Sequence, residues 1–283
     1  MTQTGSTRAQ RARAQAEARR RKEARHRQAL IGLTALVVVL GVVGAMVAIK
    51  LTGANKPASS ASLTTRGNGS AAVPAVTAGD LARAGGDKSL LPKYAGGLAP
   101  LTKNGKPVVA YVGAEFCPLC AAERWPMIIA LSRFGTFSGL QQTTSASNDS
   151  YPNTPTYTFR HSSYSSKYLV FQATENEDRQ HKVIQQVPSN VSALFGQVNA
   201  YPFIDLGNKW FYLSAQYDPG ILKGLSFQQI RQALTDPSSK VAKTVLPAAN
   251  AFTATICKLT GDQPASACSS AVVKQLQSQL PTK

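Results

Sequence analysis

From Ala29 to Ile49 the chain passes through 21 positions without a charged side chain. At about 1.5 Å per helical residue this is about 31 Å, the depth of a bilayer's hydrocarbon core, so the stretch predicts one transmembrane helix over residues 29–51. A cleaved secretory signal fits less well, because its apolar region runs to only about 7 to 15 residues and Gly44-Ala45-Met46 is a poor cleavage context. Whatever else the chain builds must therefore lie on one side of that span or the other.

Charge decides which side. Lys and Arg number 31 against 14 Asp and Glu, a net +17. Arg8, Arg11, Arg13, Arg19, Arg20, Arg21, Lys22, Arg25 and Arg27 all precede the span, with only Glu17 and Glu23 to offset them, whereas Lys50, Lys56 and Arg66 follow it sparsely. The asymmetry puts residues 1–28 in the cytoplasm as a basic tail and the C-terminal portion outside the cell membrane. No aromatic is interleaved with the arginines, so the expected partner of the tail is anionic lipid and not nucleic acid.

Residues 52–79 are small and polar, with Ser59-Ser60-Ala61-Ser62 and Gly67-Asn68-Gly69-Ser70, and predict a flexible linker. A coil of that length has a root-mean-square reach of roughly 30 Å. The remainder, 80–283, has the apolar content for a core and reads as one α/β domain. Residues 80–106 form a lead-in with one short helix at most, closed by the turn dipeptide Asn104-Gly105.

The apolar run Pro107–Val112 predicts a buried strand, and it empties into Cys117-Pro118-Leu119-Cys120, followed by helix-tolerant Ala121, Ala122, Glu123 and Arg124. Two cysteines at this spacing after a strand and at the start of a helix point to thiol–disulfide exchange. At a helix N-terminus the unpaired amides and the helix dipole favour a thiolate, which makes Cys117 the expected nucleophile and Cys120, one turn further in, the resolving thiol. The helix is expected to run on to about Gly135 with a kink at Pro126 and with Trp125 in the core.

Strands are expected over 137–145, 156–159 and 168–174, then a helix starting at Pro188-Ser189. Tyr201 to Tyr212 reads as a hairpin turning at Gly207-Asn208, opened by Tyr201-Pro202, where either a cis bond or an ordinary edge proline fits. Helices follow from about residue 225: one capped by Ser226 and Gln229, one over about 238–259 interrupted near Pro247, and one over about 265–280. Cys257 and Cys268 flank the turn between the last two and are expected to form a structural disulfide worth roughly 3 kcal/mol. Their spacing does not suit zinc, and His161 and His181 have no close second histidine, so no metal and no cofactor is expected.

The order of strand, Ala114-Glu115-Phe116-Cys117-Pro118-Leu119-Cys120, kinked helix, X-Pro, strand, Gly-containing turn, strand and helix resembles the thioredoxin fold, with Cys117, Cys120 and Pro202 at its signature positions. More narrowly, Val112 to Trp125 and Ala130 to Phe137 resemble a membrane-anchored family catalogued as domain of unknown function 929, over about residue 80 to the C-terminus. The resemblance implies that Pro202 lies beside the sulfurs and, with Tyr201, offers backbone groups to an extended substrate. It also makes Glu115, matching the thioredoxin pattern as a rim salt bridge or a catalytic group, and Pro118 modulators of the site. Two departures stand out: Tyr111 occupies the place of the buried acid that thioredoxins keep, and Gly113 replaces a tryptophan.

The expected function is a membrane-anchored, extracytoplasmic thiol–disulfide oxidoreductase acting on the thiols or disulfides of exported proteins. Oxidase or isomerase activity, recharged by a quinone-linked membrane partner, is favoured over reductase activity, because Leu119 cannot donate a hydrogen bond to the thiolate and the compartment is oxidising. The alternative is a tethered thioredoxin-fold binding or assembly module without turnover.

Overall fold

The computed structural model describes residues 71–282. The basic tail, the apolar span 29–51 and most of the linker lie outside the described residues. Among the described residues no helix is long and apolar enough to cross a membrane.

The organising element is β3, Lys106–Gly113, whose residues from Val108 onward are all buried. A strand covered on both faces must be apolar along its length, which is why Val108–Val112 carries no charge. Its side chains alternate between two cores: Val109 and Tyr111 enter the larger one, whereas Val108, Ala110 and Val112 enter a smaller one with Val191, Leu194, Phe195 and Phe203. On one side β3 pairs in parallel with β8, Val170–Glu175, and on the other antiparallel with β9, Phe203–Leu206. The hairpin partner β10, Trp210–Tyr212, lies beyond β9, and the short β1, Lys93–Tyr94, lies beyond β10. A short β2, Thr102–Lys103, turns into β3 through Asn104 and Gly105, both at positive φ.

Helices cover both faces of this mixed sheet. On the larger core lie α2, Pro118–Leu131, and α5, Lys240–Leu259, which pack on each other; α1, Ala78–Ala84, and α4, Phe227–Thr235, lie against α5. The smaller core is closed by α3, Ser189–Val198. In α2 every residue but Leu119 is buried, so it is held by neighbours all round and not by a single amphipathic face. Trp125 is among them, its rings 5.0 Å from Tyr157 and 5.1 Å from Phe227.

Several expectations need correcting. The linker assignment to 79 runs too far, because Ala71 is packed and its amide bonds Leu140, Tyr157 Oη donates to the Ala72 carbonyl, and α1 begins at Ala78 under a Thr77–Asp80 capping box. The lead-in holds β1, β2 and a 3₁₀ turn as well as a helix. The strand expected over 137–145 is two, β4, Gly135–Ser138, and β5, Gln141–Thr144, separated at Gly139, whose φ is +72°. They pair with β7, Ser163–Ser166, which is too polar to stand out in the sequence, and with β6, Pro155–Thr158. Helix α5 passes through Pro247 without a break, and the last helix is instead split at Ser269–Ser270 into α6, Ala265–Cys268, and α7, Ala271–Ser278.

Candidate functional site

Strand β3 ends at Gly113, and α2 begins after four intervening residues, so the dithiol loop sits at the C-terminal end of the central strand. Cys117 is the N-cap residue of α2. Its Sγ accepts the Cys120 amide at 3.1 Å, the bond by which a capping side chain satisfies one of a helix's free N–H groups. Pro118 takes the first helical position, where a missing N–H costs nothing. Cys117 is 5% exposed and Cys120 is fully buried, the order required of a nucleophile and a resolving thiol.

The two thiols are driven apart in acidity. Cys117 is held below the ordinary thiol range, first by a hydrogen bond from the Cys120 side chain, against the opposing effect of burial, and then by the Cys120 amide, the Arg124 charge and the Leu119 amide. Cys120 is pushed well up, above all by burial and then by its hydrogen bond to Cys117, with Arg124 acting in the other direction.

Tyr201 and Pro202, 84 residues away in sequence from Cys117, are brought to the sulfurs. The Tyr201–Pro202 peptide is cis, and the Tyr201 carbonyl lies 4.0 Å from Cys117 Sγ. Tyr201 Oη donates to Asn176 Oδ1 and to Glu177 Oε1, which fixes its ring at the edge of the site. Phe116, immediately before Cys117, lies tilted against His181 at 3.8 Å between centroids and meets the Tyr201 ring edge-on at 6.2 Å. Phe116, Leu119 and Tyr201 make an apolar rim around Cys117.

Of the two expectations for Glu115, a rim salt bridge or a catalytic group, the salt bridge is not formed among the described residues. Glu115 is buried, accepts Thr158 Oγ1 at 2.9 Å and has no cation within salt-bridge distance among the described residues. Cys257 and Cys268 are bonded to each other, Cα–Cα 5.6 Å, joining the end of α5 to α6 away from the dithiol cluster.

The buried ion pair of Arg124 and Glu175 is a feature that sequence reading missed. Arg124 Nε and Nη2 meet the two Glu175 oxygens at 3.0 and 2.6 Å, Nη2 also reaches the Ala114 carbonyl at 3.0 Å, and both side chains are fully buried. Burial, the largest influence on Glu175, raises its pKa, and Arg124 and the Phe159 amide oppose it; the two-point geometry is that of two charged groups. One signal was present in the sequence: Arg124 follows Cys120 by four residues, so a helix places both on one face. Its partner on a parallel strand 51 residues later was not readable.

A family model described as domain of unknown function 929 matches residues 97–258, more than half of the chain. The chain belongs to this family. The matched region of the domain of unknown function 929 holds Cys117, Cys120, Arg124, Glu175, Tyr201 and Pro202 together, and it includes Cys257 but ends before Cys268. No curated protein and no solved structure matches the chain.

Proposed function

We propose that this domain is a thiol–disulfide oxidoreductase of thioredoxin-like fold, held outside the cell membrane by the span 29–51 and acting on exported proteins. The observation that carries the reading is the placement of Cys117: its sulfur caps α2 at 3.1 Å from the Cys120 amide and faces the Tyr201 carbonyl at 4.0 Å. A lowered Cys117 thiol and a raised Cys120 thiol are the division of labour that exchange needs, one sulfur attacking and the other resolving. The strand order β8–β3–β9–β10, with β8 parallel to β3 and the hairpin antiparallel to it, supports the thioredoxin-like assignment.

The substrate class is an extended segment carrying a cysteine or a disulfide. Backbone groups at Tyr201 receive it, and Phe116, Leu119 and Tyr201 supply apolar contact beside the sulfur. Oxidase or isomerase chemistry, recharged by a quinone-linked membrane partner, suits an oxidising compartment, with the basic tail resting on anionic lipid. The second reading, a binding module without turnover, is favoured by one observation, the 5% exposure of Cys117.

Insulin reduction and reactivation of scrambled ribonuclease, compared between the native chain and Cys117→Ala, separate the two. Activity in the native chain that is lost in the variant is expected. Equal activity in both, or none in either, leaves the binding module.

A further inference from the structure

Beneath the two sulfurs lies a set of polar groups that packing alone does not account for. Arg124 sits one helical turn beyond Cys120 on the same face of α2, and while Nε and Nη2 are bonded, its Nη1 has no partner among the described residues. Tyr111 faces α2 from the sheet, fully buried, and its hydroxyl also has no partner among the described residues. A buried hydroxyl left unpaired is destabilising, and phenylalanine would keep the edge-on contact with Phe159 at 5.1 Å without that cost. The arrangement also consumes a second position. A Cβ on Gly113 would lie 2.0 Å from Tyr111 Oη and 2.3 Å from its Cζ, so Gly113 is what lets the phenol extend along the strand toward the dithiol loop. The Arg124 guanidinium carbon lies 5.7 Å from the centre of the Tyr111 ring, which joins the two groups into one cluster.

The geometry points to Arg124 and Tyr111 as positioning residues for the resolving thiol, holding the negative charge that passes onto Cys120 Sγ during exchange. The inference rests on the oxidoreductase reading. With Cys117 joined to a substrate sulfur, Cys120 gives up its proton to solvent and its sulfur attacks Cys117 Sγ. The Cys117–Cys120 bond forms, the bond from Cys117 to the substrate breaks, and the substrate sulfur leaves with the electron pair and takes a proton from solvent. The protein dithiol is oxidised by two electrons and the substrate disulfide is reduced. In the opposite direction a substrate thiolate attacks Cys117 Sγ and Cys120 is the leaving group. Either way charge rests on a sulfur that the fold has removed from water, where burial opposes it and a nearby cation favours it. The other charged or titratable groups around this sulfur are Cys117 itself, Glu175 paired to Arg124, Glu115 behind Glu175, and Tyr201 on the rim.

The test uses the reduced full chain and dithiobis(nitrobenzoate), which releases one coloured thiolate when Cys117 attacks and a second when Cys120 resolves the mixed disulfide. Tyr111→Phe is expected to slow the second release about tenfold and move its pH midpoint upward, because the buried O–H dipole that interacts with a charge on Cys120 is removed. The first release stays within about twofold and thermal stability is equal or higher, since an unpaired hydroxyl is removed. Arg124→Met alone leaves Glu175 buried and unpaired, so the charge is tested in Arg124→Met with Glu175→Gln, which is expected to slow the second release further. A second release with unchanged rate and pH midpoint in both variants overturns the proposal. So does an equal slowing of both releases by Tyr111→Phe. A native chain that gives a first release and no second sinks the oxidoreductase reading, and the roles of Arg124 and Tyr111 with it.

Discussion

Glu123, the residue before Arg124, is also fully buried, but no cation among the described residues pairs with it. Its Oε2 accepts the Gln216 amide at 2.9 Å, Oε1 has no partner, and burial raises its pKa from 4.5 to about 8. Between those two values the unfolded chain has released the proton and the native chain keeps it. Stability from this group is therefore complete below about pH 4.5, falls as pH rises toward 8, and levels off above, a change of a few kcal/mol at about 1.4 kcal/mol per pH unit. Asp205, raised by burial to about 6, acts with the same sign but finishes its contribution at lower pH. We expect Glu123→Gln to flatten the stability profile between pH 6.5 and 8 and to be more stable than the native chain at pH 8, read from urea midpoints. An unchanged slope over that range would mean that another group carries it. The contrast with Arg124 is instructive: two adjacent buried ionisable side chains in one helix end up neutral and charged because only the second meets a counter-ion.

At the level of elements, the proline inside α2 is tolerated where another group takes the hydrogen bond it removes. Pro126 cannot donate to the carbonyl of Ala122 four residues earlier, and Tyr217 Oη donates to that carbonyl instead, at 2.6 Å. The neighbouring Ala121 carbonyl accepts Thr156 Oγ1 at 2.7 Å. Thus the strand β6 and the loop after β10 hold α2 at its weakest point, one turn below Cys120. Tyr217→Phe is expected to cost about 1–2 kcal/mol in the native background, because it leaves a buried carbonyl unsatisfied. In a Pro126→Ala background, where the restored backbone N–H can reach Ala122, the same change is expected to cost less than half as much. Chemical denaturation of the four chains in this cycle checks it, and equal costs in the two backgrounds would show that the phenol acts through packing and not through the carbonyl.

For the molecule as a whole, the proposal places a redox domain outside the cell and its basic tail inside. The expected consequence is measurable without any substrate: alkaline phosphatase fused after Lys283 is active, and deleting residues 29–51 moves the chain from the membrane to the soluble fraction. An inactive fusion on a membrane-bound chain would reverse the topology. The domain begins earlier than composition suggests, at or before Ala71, because its first residues are bonded to Leu140, Tyr157 and Arg231. Residues 71–79 are therefore part of the domain and not of the linker expected over 52–79.

Local order determined much of this protein. Period and spacing were enough for β3, for the cysteines at the head of α2, for the Ser226–Gln229 capping box and for the Gly207-Asn208 hairpin, since each is fixed by residues within one turn or one strand of one another. Polar β7, the split at Gly139 and the unbroken α5 were not legible, because partners distant in sequence decide them. The same holds within the site. Cys117 and Cys120 declare themselves by spacing, whereas Glu175 reaches Arg124 only through the parallel pairing of β8 with β3, and Tyr201 meets Cys117 only through the antiparallel pairing of β9. The reason for Tyr111 and Gly113 together is likewise tertiary in its outcome. Two alternate positions of one strand face one helix, and the space the glycine leaves empty is filled by the phenol below it.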